Sequence, residues 1–214
     1  MMLKSIIFGT LQGVLEWLPV SSQGNLVLAM IGIFGYSIQQ ALELSIFLHT
    51  GTLLAALIYF KQDITELLRE AKNYKFKFGR TKESKLISFL LISTLITGLI
   101  GYVLFTLLIA SPFKGEIFIG FVGAALIFTG IFQKAAASKS RSLKTTEQLN
   151  LKDTIILGLV QGISVIPGIS RSGITTSSFL FLGYKAETAL RLSFLMSIPT
   201  ILGAEIGLRY SEEP

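Results

Sequence analysis

The stretch LQGVLEWLPVSSQGNL, Leu11 to Leu26, and the stretch LVQGISVIPGISRSGITTS, Leu159 to Ser177, together decide the fold. They lie within apolar segments of ~30 residues, 5–34 and 154–183, and each segment is broken near its centre by a proline with small polar neighbours. Pro19 is followed by Val20, Ser21, Ser22, Gln23 and Gly24, and Pro167 by Gly168, Ile169, Ser170, Arg171, Ser172 and Gly173. Such a segment is too long for one straight crossing of a ~30 Å hydrocarbon core and too short for two. Helix, polar turn, helix is the pattern of a re-entrant hairpin, whose irregular backbone is tolerated only against protein or a wet cavity.

Around these hairpins, hydropathy marks four clean spans at roughly 41–60, 86–110, 117–133 and 188–208. Only 15% of the 214 residues are charged, against about 25% in soluble domains. From Ser5 to Phe60 the only formal charges are Glu16 and Glu43, and 86–110 carries none. A soluble domain has no means of covering such surfaces, so the chain is expected to be one multi-spanning membrane domain. The absence of cysteine removes disulfides and thiolate chemistry, and the single histidine, His49, excludes a multi-histidine metal site. Met1 to Lys4 runs into apolar sequence without a small-residue cleavage site, so no cleavable signal is expected.

An internal repeat connects the pieces. Gly35 to Ala56 aligns without gaps on Gly183 to Ala204, and Gly9, Gln12, Gly13 and Gly24 match Gly158, Gln161, Gly162 and Gly173. Three spans separate the two hairpins, and an odd number inverts the second unit relative to the first. The expected fold is therefore all-α, with inverted-topology repeats whose two hairpins meet near the midplane, plus at least four transmembrane helices. Repeat 1 occupies 1–134, with hairpin 5–34; repeat 2 occupies 153–214, with hairpin 154–183, and has no counterparts of the spans 86–110 and 117–133. Segments 61–85 and 134–152 hold thirteen Lys or Arg against five acids and fall on one face, which the positive-inside rule makes cytoplasmic. The N-terminus, the first hairpin and the Phe113 to Glu116 turn then lie outside. Within 61–85, Ile64, Leu67, Leu68 and Ala71 are spaced as a surface helix, and NYKFKFGR (73–80) reads as a headgroup-contacting belt rather than a nucleic-acid site.

The hairpins carry the costliest residues. Glu16 sits one helical turn before Pro19 and Arg171 lies inside the second polar turn, both at expected membrane depth, where an ionisable group is a functional candidate by default. If the repeats meet, carboxylate and guanidinium converge among Ser21, Ser22, Ser170, Ser172 and Thr175. Arg presents a planar fork of donors suited to phosphate oxygens, and hydroxyls, glycine backbone and helix N-termini add neutral donors. Such a basket suits a phosphate or diphosphate, beside a carboxylate able to act as base or to help hold a divalent cation.

The two quoted stretches resemble the signature segments of the undecaprenyl pyrophosphate phosphatase (bacitracin-resistance) family. The first has Gln12, Glu16 and the Pro-Val-Ser-Ser turn at 19–22, and the second matches Pro-Gly-x-Ser-Arg-Ser-Gly-x-Thr from Pro167 to Thr175. The resemblance extends over LHTGTLLAALIYF and LSFLMSIPTILGA, and so over most of the chain. It implies hydrolysis of a polyprenyl diphosphate to the monophosphate and phosphate, recycling a carrier lipid for cell-envelope glycan or glycoprotein synthesis, at a site facing the outer side of the cell membrane. It implies Glu16 as acid or base, Arg171 as diphosphate clamp and Ser22 as nucleophile or phosphate donor. Gln12, Ser21, Asn25, Ser170, Ser172, Gly173 and Thr175 complete a diphosphate-binding set, and a divalent cation, Mg²⁺ or Ca²⁺, is implied with Glu16 as the one candidate ligand. Expected partners are the polyprenyl diphosphate and membrane lipids, without nucleic acid; a homodimer is allowed but not required. The sequence departs from the family at Asn25, where His is common, which leaves Ser22 attack or attack by water that Glu16 polarises. Family members also generally continue through two further spans beyond the segment matching 188–208.

Each residue has a structural alternative. Pro19 and Pro167 on their own are helix kinks, and intramembrane Ser and Thr often only satisfy local carbonyls. Glu43 and Arg191 fit interfacial or ion-paired roles, and His49 reads more readily as a satisfied core residue than as a proton relay. Gly98, Gly101, Gly120, Gly123 and Gly130 read as close helix packing. A transporter or flippase of a phosphorylated polyprenyl lipid would share the inverted-repeat plan, and a catalytically inactive lipid-binding relative is the third reading.

Overall fold

A computed structural model describes residues 2–72, 74, 75, 78, 81–110, 115–138 and 143–212. Among them are nine α-helices: α1 (Met2–Leu15), α2 (Ser22–Gly32), α3 (Ile38–Tyr59), α4 (Lys61–Ala71), α5 (Lys82–Ala110), α6 (Glu116–Ala137), α7 (Leu151–Ile163), α8 (Arg171–Phe181) and α9 (Ala186–Glu212). A short 3₁₀ turn at Thr146–Gln148 leads into α7. The architecture is all-α. The helices α3, α5, α6 and α9 are long and apolar enough to cross a membrane, and the chain is a membrane protein. Leu95, Leu99, Ile127 and Ile131 on α5 and α6 are 65–74% exposed, and only lipid can cover such faces without cost. Much of the 73–80 belt and part of the 113–116 turn lie outside the described residues.

Both apolar ~30-residue segments fold as helix–turn–helix hairpins, α1 with α2 and α7 with α8. In each, a serine three positions before a glycine caps the start of the second helix. Ser21 Oγ accepts from Gly24 N at 3.1 Å and Ser170 Oγ from Gly173 N at 3.1 Å, so each serine satisfies an otherwise orphaned amide of the helix start. The first hairpin packs Phe8, Leu26, Val27 and Met30 against Ala41, Leu42, Phe118 and Val122. The second builds a separate core of Leu157, Phe179 and Tyr184 against Phe89, Leu192 and Met196. The repeat is visible in detail: Lys4 lies over the Tyr36 ring, and its counterpart Asp153 accepts a 2.7 Å hydrogen bond from Tyr184, the counterpart of Tyr36.

Glycine packing differs from expectation. Gly98, Gly120, Gly123 and Gly130 have no neighbour where a Cβ would stand, and Gly101 has only one, at 3.9 Å. The close approaches are made by α7 on α5, where a Cβ on Gly158 or Gly162 would meet Ile96 at 3.0 Å or Ile100 at 2.7 Å. The amphipathic α4 is also less superficial than its spacing implied, because Ile64 and Leu67 pack on the second core while Leu68 stays exposed.

The two hairpin turns touch backbone to backbone. A Cβ on Gly24 would stand 2.7 Å from Gly168 Cα, and Gly168, at φ +97°, has room for none, because Val122 O already fills that position. The left-handed backbone and the missing volume both demand glycine there. Gly168→Ala and Gly24→Ala are therefore expected to lower stability by about 2–4 kcal/mol, read as a drop in thermal midpoint in detergent. Gly9→Ala, at an exposed helix position with open space around it, should leave the midpoint unchanged or raise it.

Candidate active site

Where the turns meet, a narrow, partly open polar cleft is lined by Glu16, Val20, Ser21, Ser22, Gln23, His49, Ser164, Ile169, Ser170, Arg171 and Ser172. The starts of α2 and α8 both face it, bringing two helix N-termini, with their exposed amides and positive dipole ends, to one place. The chain's path explains the crowding of polar groups: Pro19 and Pro167 end the first helices, and the serine caps that restart the second ones are the cavity wall.

Glu16 is the centre of the network and is only 7% exposed. Arg171 donates through Nη2 to its Oε1. Its Oε2 accepts from Ser22 Oγ at 2.7 Å and from Gln12 Nε2 at 3.0 Å, and His49 Nε2 lies 3.3 Å away. Arg171 also donates through Nη1 to Ser193 O at 3.3 Å, so α9 steadies the guanidinium. The second turn is fixed from α6: Thr129 Oγ1 donates to Gly168 O at 3.0 Å and accepts from Ser170 N at 3.3 Å. Burying two charges is costly unless they are paired and hydrogen-bonded; here they are paired, both Glu16 oxygens are engaged, and Arg171 also donates to Ser193 O.

Of the ten residues singled out from sequence, Glu16, Ser21, Ser22, Ser170, Arg171 and Ser172 line the cavity. The other four stand elsewhere. Gln12 is buried behind Glu16 and holds it; Thr175 donates to Arg171 O at 2.7 Å and pairs with Ser193; Gly173 closes the α8 cap. Asn25 is exposed on α2 and donates to Ser21 O at 2.8 Å, away from the carboxylate. Arg191 pairs with Asp63 across the start of α4, and Glu43 accepts from Gln39. His49, which the sequence favoured as a packed core residue, and Ser164 and Gln23 enter the wall as additions. The signal for the first of them was its place in LHTGTLLAALIYF, one of the segments over which the family resemblance extends.

The donor set does not fit a resident divalent cation. Among the described residues there is no group of three or more His, Cys, Asp or Glu side chains able to hold a metal. The cavity's one carboxylate has both oxygens engaged and stands between a guanidinium and an imidazole, surroundings that repel a hard cation.

Comparison with known proteins agrees with this construction. The family model described as bacitracin resistance protein BacA matches residues 5–212. A protein from Methanococcoides burtonii named undecaprenyl-diphosphatase is 44% identical over 207 residues, 96% of this chain and 77% of that one. Relatives of the same name from Methanothrix thermoacetophila and Haloarcula marismortui are 41% and 38% identical, over 94% and 95% of this chain and 73% and 75% of theirs. With both quoted stretches inside a match of nearly full length, the chain belongs to the bacitracin resistance protein BacA family.

Proposed function

We propose that this protein hydrolyses a polyprenyl diphosphate of the undecaprenyl type to the monophosphate and inorganic phosphate, recycling the carrier lipid for envelope glycan or glycoprotein synthesis. The observation that carries the reading is the buried Glu16–Arg171 pair among serines at two converging helix N-termini. The shared name of the relatives supports it. In this reading the two hairpins are re-entrant and meet near the membrane midplane, in a single membrane domain made of repeats 1–134 and 153–214. The basic segments 61–85 and 134–152 face the cytoplasm, and the cavity takes its lipid from the outer side of the cell membrane.

The diphosphate draws Arg171 and the free amides of the α2 and α8 starts onto its oxygens, while the prenyl chain stays in the apolar surroundings of the helices. Ser22, already donating to Glu16 Oε2, is the nucleophile. Its Oγ forms a bond to the terminal phosphorus as the bridging P–O bond breaks, the polyprenyl monophosphate leaves, and the hydroxyl proton passes to Glu16. Water then displaces Ser22 from phosphorus; Ser22 regains a proton, and phosphate is released. A divalent cation enters this reading only as a companion of the diphosphate, and no step is assigned to it.

Purified protein in detergent, given a C15 to C55 prenyl diphosphate with Mg²⁺ or Ca²⁺, is expected to release phosphate. Absence of release in detergent, together with movement of the lipid across a sealed bilayer, would establish the transporter instead. Glu16→Gln and Arg171→Ala should each lower turnover by at least ~10². Removing one partner of a buried pair costs stability, about 3–5 kcal/mol, so Arg171→Ala is compared with the Glu16→Gln, Arg171→Ala double variant by thermal midpoint before activities are judged. Ser22→Ala should lose turnover as severely as Glu16→Gln, and rapid quenching of the native enzyme should trap phosphate on Ser22. A Ser22→Ala enzyme within threefold of native turnover would assign the attack to water.

A further inference from the structure

The catalytic reading leaves a difficulty at Glu16. Arg171 is its counter-charge in the resting site, yet the same guanidinium is needed on the diphosphate. A carboxylate only 7% exposed that loses its partner would be left buried and unpaired, which costs several kcal/mol. Arg171 has further N–H groups to offer a phosphate oxygen, but a shift toward the substrate weakens its hold on Glu16, and a second positive group on the carboxylate offsets that loss.

The geometry points to His49 as that group: a positioning residue whose doubly protonated imidazole holds Glu16 ionised and aimed at Ser22 while Arg171 transfers to the substrate. This inference rests on the reading of Glu16 as the acid–base group. Two contacts carry it. His49 Nδ1 lies 2.7 Å from Ser45 O, a carbonyl that only accepts, so Nδ1 must bear a hydrogen. Nε2 lies 3.3 Å from Glu16 Oε2, also an acceptor, so a favourable contact there needs a second one. Both ring nitrogens therefore face acceptors, an arrangement satisfied by the imidazolium.

The surroundings are consistent with this charge state. The charged groups facing His49 are Glu16 from α1 and, beyond it, Arg171 from α8. From α9, Glu205 accepts from Thr50, the next residue round α3, at 2.9 Å. His49 binds Oε2 and Arg171 binds Oε1, so the two cations occupy different oxygens. Departure of Arg171 then leaves the His49 contact, and the Ser22 hydrogen bond on the same oxygen, in place. The counterpart of His49 in the second repeat is Ser197, which bonds back to Phe194 O. The arrangement thus belongs to the first repeat alone, as does the carboxylate it serves.

The test uses the fact that the chain has one histidine. Nitrogen-15 labelling of histidine in the intact protein in detergent gives the two ring signals of His49 alone. At neutral pH both should show the imidazolium shift, and both should move in Glu16→Gln; a neutral ring in the native protein at neutral pH would overturn the proposal. In phosphate-release kinetics His49→Gln is expected to lower kcat/KM by about 10- to 100-fold, the value of a hydrogen bond to a charged group. The pH profile of kcat/KM should lose one ionisation, and His49→Lys, which restores a cation, should recover part of the rate without recovering that ionisation. A His49→Gln enzyme with native kcat/KM and an unchanged pH profile also overturns the proposal. If Glu16→Gln is inactive in that case, only the role of His49 falls; if Glu16→Gln is as active as the native enzyme, the catalytic reading of Glu16 itself falls. Should His49→Gln not fold, the ring signals of the native protein still decide.

Discussion

The ion pair between Glu16 and Arg171 is the constraint on which the rest of the structure depends. Neither charge is tolerable alone in apolar surroundings, and each is supplied by a different hairpin, 155 residues apart. The turns meet closely because Gly24 has no side chain to hold them apart, while the bare Gly168 lets α6 close against the second turn. Neighbouring helices support that meeting. The second turn is anchored from α6 through Thr129, the guanidinium is steadied from α9 through Ser193 O, and Gln12 and Ser22 fill the positions on Oε2 that Arg171 does not reach.

The two halves of the repeat are alike in scaffold and unlike in chemistry. Ser21 and Ser170 are equivalent and both cap a helix. At the position of Glu16 the second hairpin has Val165, and at the position of Ser22 it has Arg171. One hairpin brings the carboxylate and hydroxyl, the other brings the fixed positive charge. An inverted pair of identical hairpins would place like charges together at the junction. Divergence at these two positions turns a symmetric contact into an electrostatically complementary one, and complementarity is also what an asymmetric reaction at a phosphate requires.

Much of this was legible in the residues because apolar length and interruption are one-dimensional signals. A ~30-residue apolar segment with a central Pro and a serine cap has few ways to fold in lipid, so the hairpins and the four spans follow from the pattern, and six of the ten candidate residues come to line the cleft. The glycine series of α5 and α6 misled because spacing along a helix does not say which face meets a neighbour. The close contacts belong to Gly158 and Gly162, and their repeat partners Gly9 and Gly13 have no atom within 4 Å of an added Cβ. Asn25 and Thr175 stood in the right motifs, yet α2 presents Asn25 outward and α8 turns Thr175 onto Ser193.

By itself the sequence determined that the chain is a membrane protein, that it is built on two interrupted hairpins, and that Glu16 and Arg171 are its costly residues. The reason is that apolar length, charge depletion and proline placement act locally along the chain. Only the tertiary structure decided which oxygen of Glu16 each partner takes, and that the sole histidine, 33 residues further on in α3, stands against it. Side-chain direction across packed helices depends on how the helices are rotated about their axes. That rotation is fixed by the summed contacts of both cores, and no single motif encodes it.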